Sequence, residues 1–244
     1  MSASVTSRQR VLDRIRLATQ SCAKNSAGRA EDYAKLPRNY IRRSQPGASV
    51  RWELMIKRLR EYDAEVVECT PDELPATITA QLTASGRHSF VAPVGLPTEW
   101  RSTGFQWKID RGIDTSEIEQ AEGVVTAAFC GVADSGTIVL HHSSNEGRRV
   151  ITLLPDWHLC ILRATQLVET LPEYFDRCLQ PPSLATYISG PSATADIEMT
   201  RIKGVHGPRF LNVILVSDEN VSVLDKDAVQ TVSIPAEVGS LKGR

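Results

Sequence analysis

The sequence predicts an α/β domain built on a largely parallel sheet, and two observations carry the prediction. Between positions 52 and 92, a stretch with helical spacing of apolar residues leads into a short apolar run, and the pair then repeats. That alternation is the rhythm of strands joined by crossover helices. The second observation is scale: 244 residues, 41% hydrophobic and 23% charged, suffice for a full core beneath an ordinary polar surface. The simplest division is an N-terminal helix with a loose extension over residues 1–50, then one domain over residues 51–244.

Ser7 caps a first helix in which Val11, Leu12, Ile15 and Ala18 line one face and Arg8, Arg10, Arg14 and Arg16 the other. Residues 22–50 shift to Ala, Asn, Gly, Arg and Pro without periodicity and read as a loose extension. Trp52, Met55, Ile56, Leu59 and Tyr62 then recur at helical spacing and lead into a strand at 64–69. Thr70-Pro71-Asp72-Glu73 is a helix start, with a capping hydroxyl, an early proline and two carboxylates against the dipole. That helix runs to about residue 85, where Gly86 ends it, and residues 89–92 form the next strand, closed by Pro93. Gly95-Leu96-Pro97 is a turn. A helical turn is expected at 116–121 and a buried strand at 123–126.

Residues 127–133 are small and apolar, and Asp134-Ser135-Gly136 breaks the chain before a strand at 137–142. After a polar turn, residues 150–154 are expected to pair back as a hairpin arm. Residues 158–163 are the next strand and 171–179 a helix stopped by Pro181-Pro182. Ser189-Gly190-Pro191-Ser192 then turns a strand into a helix start carrying Asp196 and Glu198. Gly204-Val205-His206-Gly207-Pro208-Arg209 turns back into a strand at 210–216. The tail from Asp218 reads as edge structure. No repeat or low-complexity segment is visible.

Several function classes fall away. A net charge of −1 gives no field for nucleic acid or an anionic membrane, and Arg42-Arg43 and Arg148-Arg149 read as solvated loops. No run approaches the roughly 18 apolar residues of a spanning helix, and the first 20 residues lack a signal-peptide core, so a cytoplasmic location is expected. Five cysteines without a C-x-x-C spacing argue against a zinc ribbon, a dithiol site or a Cys-ligated iron–sulfur cluster. Neither G-K-[ST], G-x-G-x-x-G nor G-x-S-x-G occurs, so no cofactor is expected. His141 and His142 are adjacent on an expected strand and face opposite ways, so the two do not share an ion; His141 with His158 is the remaining pair, no carboxylate or cysteine spacing supports it, and no metal site is assigned.

Three constellations remain. The turn at 189–192 offers backbone N–H groups and the hydroxyls of Ser192 and Thr194 to an anion, or caps a helix internally. In the second turn, His206 is an acid–base or a structural hydrogen-bonder. Arg209 is an anion clamp or an internal partner of Asp196 or Glu198. Asp134, beside Gly136 and Thr137, is a base or nucleophile, or an Asx turn. Catalysis is thus assigned to Asp134 and His206, and ligand binding to Ser189, Gly190, Ser192, Thr194, Arg209, Gly136 and Thr137.

The runs 189–198 and 204–209 resemble the C-terminal signature of the lactate-utilisation protein C family, the small LUD-domain proteins. Residues 134–140 and the helix at 10–18 are similar to that family's central motif and start, so the match covers most of the chain in order. It departs at Ser135, where Thr is usual, and at Ala193, where a larger residue, often Arg, would add an anion contact. The resemblance implies a Rossmann-like, mostly parallel sheet flanked by helices, similar to the glucosamine-6-phosphate deaminase, ribose-phosphate isomerase and CoA-transferase group. In that group ligands sit in loops at the carboxyl ends of strands, where the three constellations are expected. It further implies a cytosolic component of L-lactate oxidation to pyruvate that acts with iron–sulfur partner proteins. This chain matches the cluster-free component and would bind a small organic acid or support assembly. The alternatives are a stand-alone transferase- or isomerase-like enzyme on a phosphorylated or CoA-linked small acid, and a non-catalytic ligand-binding scaffold.

Overall fold

The computed structural model describes residues 6–23, 32–37, 39, 47–180, 182–195, 201–204 and 206–217. The chain divides into a first unit, Met1–Tyr40, and a second, Ile41–Arg244. The first carries helix α1 (Ser7–Ala23). The second opens on α2 (Ala48–Glu61), where Trp52, Met55, Ile56 and Leu59 recur at helical spacing and are buried. Strand β1 (Glu65–Cys69), helix α3 (Leu74–Ala84) and strand β2 (Ser89–Pro93) follow. Before α3, the Glu73 carboxylate accepts from both the Thr70 N–H and its hydroxyl at 2.9 Å, and the helix starts just after this turn.

The chain continues through β3 (Gln106–Asp110), α4 (Thr115–Glu119), β4 (Gly123–Ala127), β5 (Cys130–Val132) and β6 (Thr137–Leu140). It then forms β7 (Trp157–Arg163), β8 (Leu167–Val168), α5 (Leu171–Arg177) and β9 (Thr186–Ile188). The last described elements are β10 (Ala193–Ala195), β11 (Arg201–Lys203) and β12 (Phe210–Val216).

Six strands form the main sheet in the order β1-β12-β7-β4-β2-β3, and every pair in it is parallel. The α/β fold with a mostly parallel sheet is therefore the one the sequence predicts. Its central strands are covered on both faces, which is why they read as unbroken apolar runs. Along β7, Trp157, Leu159 and Ile161 pack against α3, whereas Cys160 and Leu162 face the side that holds α2. The α2 side is shared with residues of a second sheet, ordered β8-β5-β6-β9.

Two local expectations are corrected. Residues 150–154 are not a hairpin arm: a 3-10 helix spans Arg149–Thr152, with Ile151 and Thr152 buried. Both edges of β6 are already taken, antiparallel to β5 and to β9, so no edge is open for a returning strand. The segment after Ser192 does not start a helix either. Residues 193–195 pair antiparallel with 201–203, because Ser192 is held in an extended frame. Its N–H donates to the Pro208 carbonyl at 2.8 Å and its carbonyl accepts from the Gly204 N–H at 2.9 Å. Asp196, Glu198 and the tail from Asp218 lie outside the described residues.

Candidate functional site

Parallel pairing decides where the turns end up. A turn leading directly into β7 or β12 must lie at the amino edge of the main sheet, so the 204–209 turn sits there. Its expected place at the carboxyl ends of the strands is thereby corrected. At this edge opens a cleft of about 290 Å³. Its walls are the loop around Ser189–Ala193, the 206–208 turn and the 3-10 helix carrying Arg149 and Thr152. His158 and Leu211, at the starts of β7 and β12, also line it.

The cleft gathers Ser189, Gly190, Ser192 and His206. The Ser192 hydroxyl accepts from the His206 N–H at 3.1 Å, which ties the two loops together. The Ser189 hydroxyl lies 2.8 Å from that of Thr137, which in turn lies 2.7 Å from that of Ser135. Thr137 thus reaches the cleft through Ser189 without lining it. Arg209 points into an exposed bidentate pair with Asp156, at 2.5 and 2.9 Å, and those hydrogen bonds raise its pKa above the ordinary arginine value. Asp134 is exposed and its carbonyl accepts from Arg58 Nε at 2.9 Å; it is not among the residues lining the cleft. Of Thr194 the structure describes the backbone, which pairs with Ile202.

Gly136 and Gly190 both press on the C-terminal turn of α2. Each has left-handed backbone, at φ +61° and +86°. A Cβ at Gly136 would come within 2.9 Å of the Arg58 carbonyl carbon, and one at Gly190 within 2.8 Å of the Tyr62 oxygen. These glycines bring the 134–137 and 189–192 loops to the same helix end.

Sequence reasoning missed Arg149 and His158 as lining residues. Arg149 is exposed and its guanidinium has no hydrogen-bond or ion-pair partner among the described residues. His158 is 1% exposed, lies 2.8 Å from the Thr126 hydroxyl through Nε2, and is pushed down to about 4 by burial. It is therefore neutral at pH 7. Arg149 reads as one of two loop cations, and His158 as a strand residue weighed only beside His141 for a metal; only the topology brings them together. The arrangement suits a compact anion: one guanidinium, serine hydroxyls and two imidazoles in a concave, partly apolar setting. Among the described residues no group of three His, Cys, Asp or Glu is placed to hold a metal ion.

A second crevice, of about 300 Å³, opens at the opposite, carboxyl edge. It is lined by loops after β2, β4 and β7 that the sequence did not single out.

Comparison with known proteins matches the LUD domain to residues 52–216, from α2 to the end of β12. A lactate utilization protein C from Deinococcus radiodurans is 35% identical over 163 residues, which cover 65% of this chain and 76% of that protein. One from Bacillus subtilis is 37% identical over 134 residues, half of this chain and 55% of that protein. The match thus spans little more than half the length of the Bacillus relative. Among solved structures, a DUF162-family protein from Deinococcus radiodurans superposes with a TM-score of 0.62 at 28% identity, over 70% of this chain and 99% of that one.

Proposed function

The chain belongs to the LUD-domain family, and from that premise we propose that it is a cytoplasmic component of a lactate-utilisation system. In this reading it binds a small organic acid in the amino-edge cleft and works beside iron–sulfur proteins that carry the electrons. The observation that carries it is Arg149, a guanidinium without a partner among the described residues, in a cleft that also presents Ser192 and His206. A carboxylate would take the Arg149 fork, and the Ser192 hydroxyl would meet the 2-position oxygen. His158 stays neutral beside them, so it adds no positive charge to that of Arg149. The sequence has no C-x-x-C spacing and no dinucleotide fingerprint, so a redox role within this chain has no motif behind it.

Deleting the gene in its source organism should abolish growth on L-lactate while leaving growth on glucose intact, and the intact chain should restore it. Arg149→Ala should weaken pyruvate binding by about tenfold in calorimetry and slow lactate-dependent growth. Undiminished growth of the deletion strain on L-lactate would remove the lactate role. Unchanged pyruvate affinity of the Arg149 variant would remove the cleft from it.

A further inference from the structure

We infer that the exposed apolar face around α5 and β9 binds a second copy of this chain, the two copies being related by a twofold axis. Leu171, Phe175 and Leu179 follow one another at intervals of four, so they form one stripe along α5 and the turn that continues it. The helix needs only one apolar stripe to hold it to the second sheet, and Tyr174 and Cys178 supply that by packing with Val132, Val139 and Val168. The outer stripe is therefore a second one. Two further exposed rings join it: Phe175, Tyr187 on the edge strand β9, and Phe129 all border the buried ring of Tyr174, with centroids at 5.0, 6.0 and 6.3 Å.

The area fits a dimer. Leu171, Phe175, Leu179, Tyr187 and Phe129 are 41–88% exposed, and at roughly 180 Å² for a large apolar residue they leave about 500 Å² of apolar surface open. A stable pair of subunits covers about 800 Å² on each partner, and in homodimers about 65% of that is apolar, which is about 520 Å². The open apolar surface is thus what one half of such an interface contributes.

Charge and geometry select a like copy. The five side chains carry no charge, and within α5 the stripe is flanked only by Asp176 and by the Glu173–Arg177 pair, closed at 2.5 Å. Such a face has little field to draw in a strongly charged partner and little to repel its own image. Phe175 stands midway between Leu171 and Leu179 in the sequence. Two stripes that cross antiparallel at Phe175 set Leu171 of each copy against Leu179 of the other, which is the reciprocity a twofold interface requires.

The test is sedimentation velocity of the full chain between about 1 and 100 μM, where an interface of this size associates. The wild-type chain should sediment as a dimer. Leu179→Glu alters a side chain 88% exposed and so leaves the fold intact; it should raise the dissociation constant about hundredfold or more, as should Phe175→Glu. Val50→Glu, at an exposed valine on α2, should leave the dimer as tight as the wild type. A wild-type chain that stays monomeric at about 100 μM would overturn the inference. So would a dimer that both the Leu179 and Phe175 variants leave at wild-type strength, since its interface would lie elsewhere. Tyr187 is kept in these variants because β9 also borders the amino-edge cleft. Loss of the dimer is thereby read separately from loss of pyruvate binding at Arg149.

Discussion

Gly136 and Gly190 enter from different loops and meet the last turn of one helix. Their identity follows from two constraints at once, a left-handed φ and backbone within 3 Å of the missing Cβ. Gly190→Ala should therefore cost about 2 kcal/mol or more, seen as a fall of several degrees in Tm. The sequence pointed to both glycines as turn residues, but what they turn against was invisible because Arg58 and Tyr62 lie far away along the chain. His158 makes the opposite case, a buried strand residue that the sequence weighed only as a metal partner of His141. Its folded value of about 4 lies below the ordinary 6.5, so the unfolded chain binds the extra proton between those values. Stability from this group is complete above about pH 6.5 and is lost as pH falls through 4, by about 3 kcal/mol in all. His158→Gln should flatten the dependence of urea midpoint on pH across that window. An unchanged slope would assign the acid sensitivity elsewhere.

Connections between elements depend on pairs that no local pattern announces. Asp110, at the carboxyl end of β3, is buried and receives Arg148 Nε at 2.9 Å and the Gly112 N–H at 3.1 Å. Burial alone would raise this carboxyl, but Arg148 and the neighbouring amides outweigh it and hold it below the usual range. Arg148→Ala strands that charge, and with Arg148 about half exposed the loss should be about 2 kcal/mol. Asp110→Asn, which needs no counterion, should cost less in the same denaturation assay. Strands β1, β2, β4, β7 and β12 were legible because each is an apolar run beside clear turn signals. Strands β3, β5 and β8 were not. The first is an edge strand with mixed residues, and the others are only three and two residues long, held by the Gly131–Leu167 and Val132–Val168 pairing. The segment after Ser192 was misread for a related reason: Asp196 and Glu198 resemble a helix start, while the pairing of 193–195 with 201–203 is set by the closed base of the hairpin.

Across the whole molecule the core is sealed on both faces of the sheet, and the thiols record it. Burial pushes Cys130 and Cys160 up to about 12, whereas Cys178 is only partly covered. In the native protein an alkylating reagent at pH 7.5 should modify Cys178 and spare Cys130 and Cys160, which react only at the rate of global unfolding. Early labelling of Cys160 would mean that the sheet opens locally. No helix among the described residues is long and apolar enough to cross a membrane. The amino-acid order alone was enough for the α/β class, the core strands and the family, since all of these rest on contacts and periodicities within a few residues. It also supplied Ser189, Gly190, Ser192 and His206, because Gly- and Ser-rich turns are local signals. Which edge those turns occupy, the partner of Arg209, the entry of Arg149 and His158 into the cleft, and the existence of a second crevice all came from strand order. A parallel sheet joins residues more than a hundred positions apart, as when Glu65 meets Asn212, and no local pattern encodes that register.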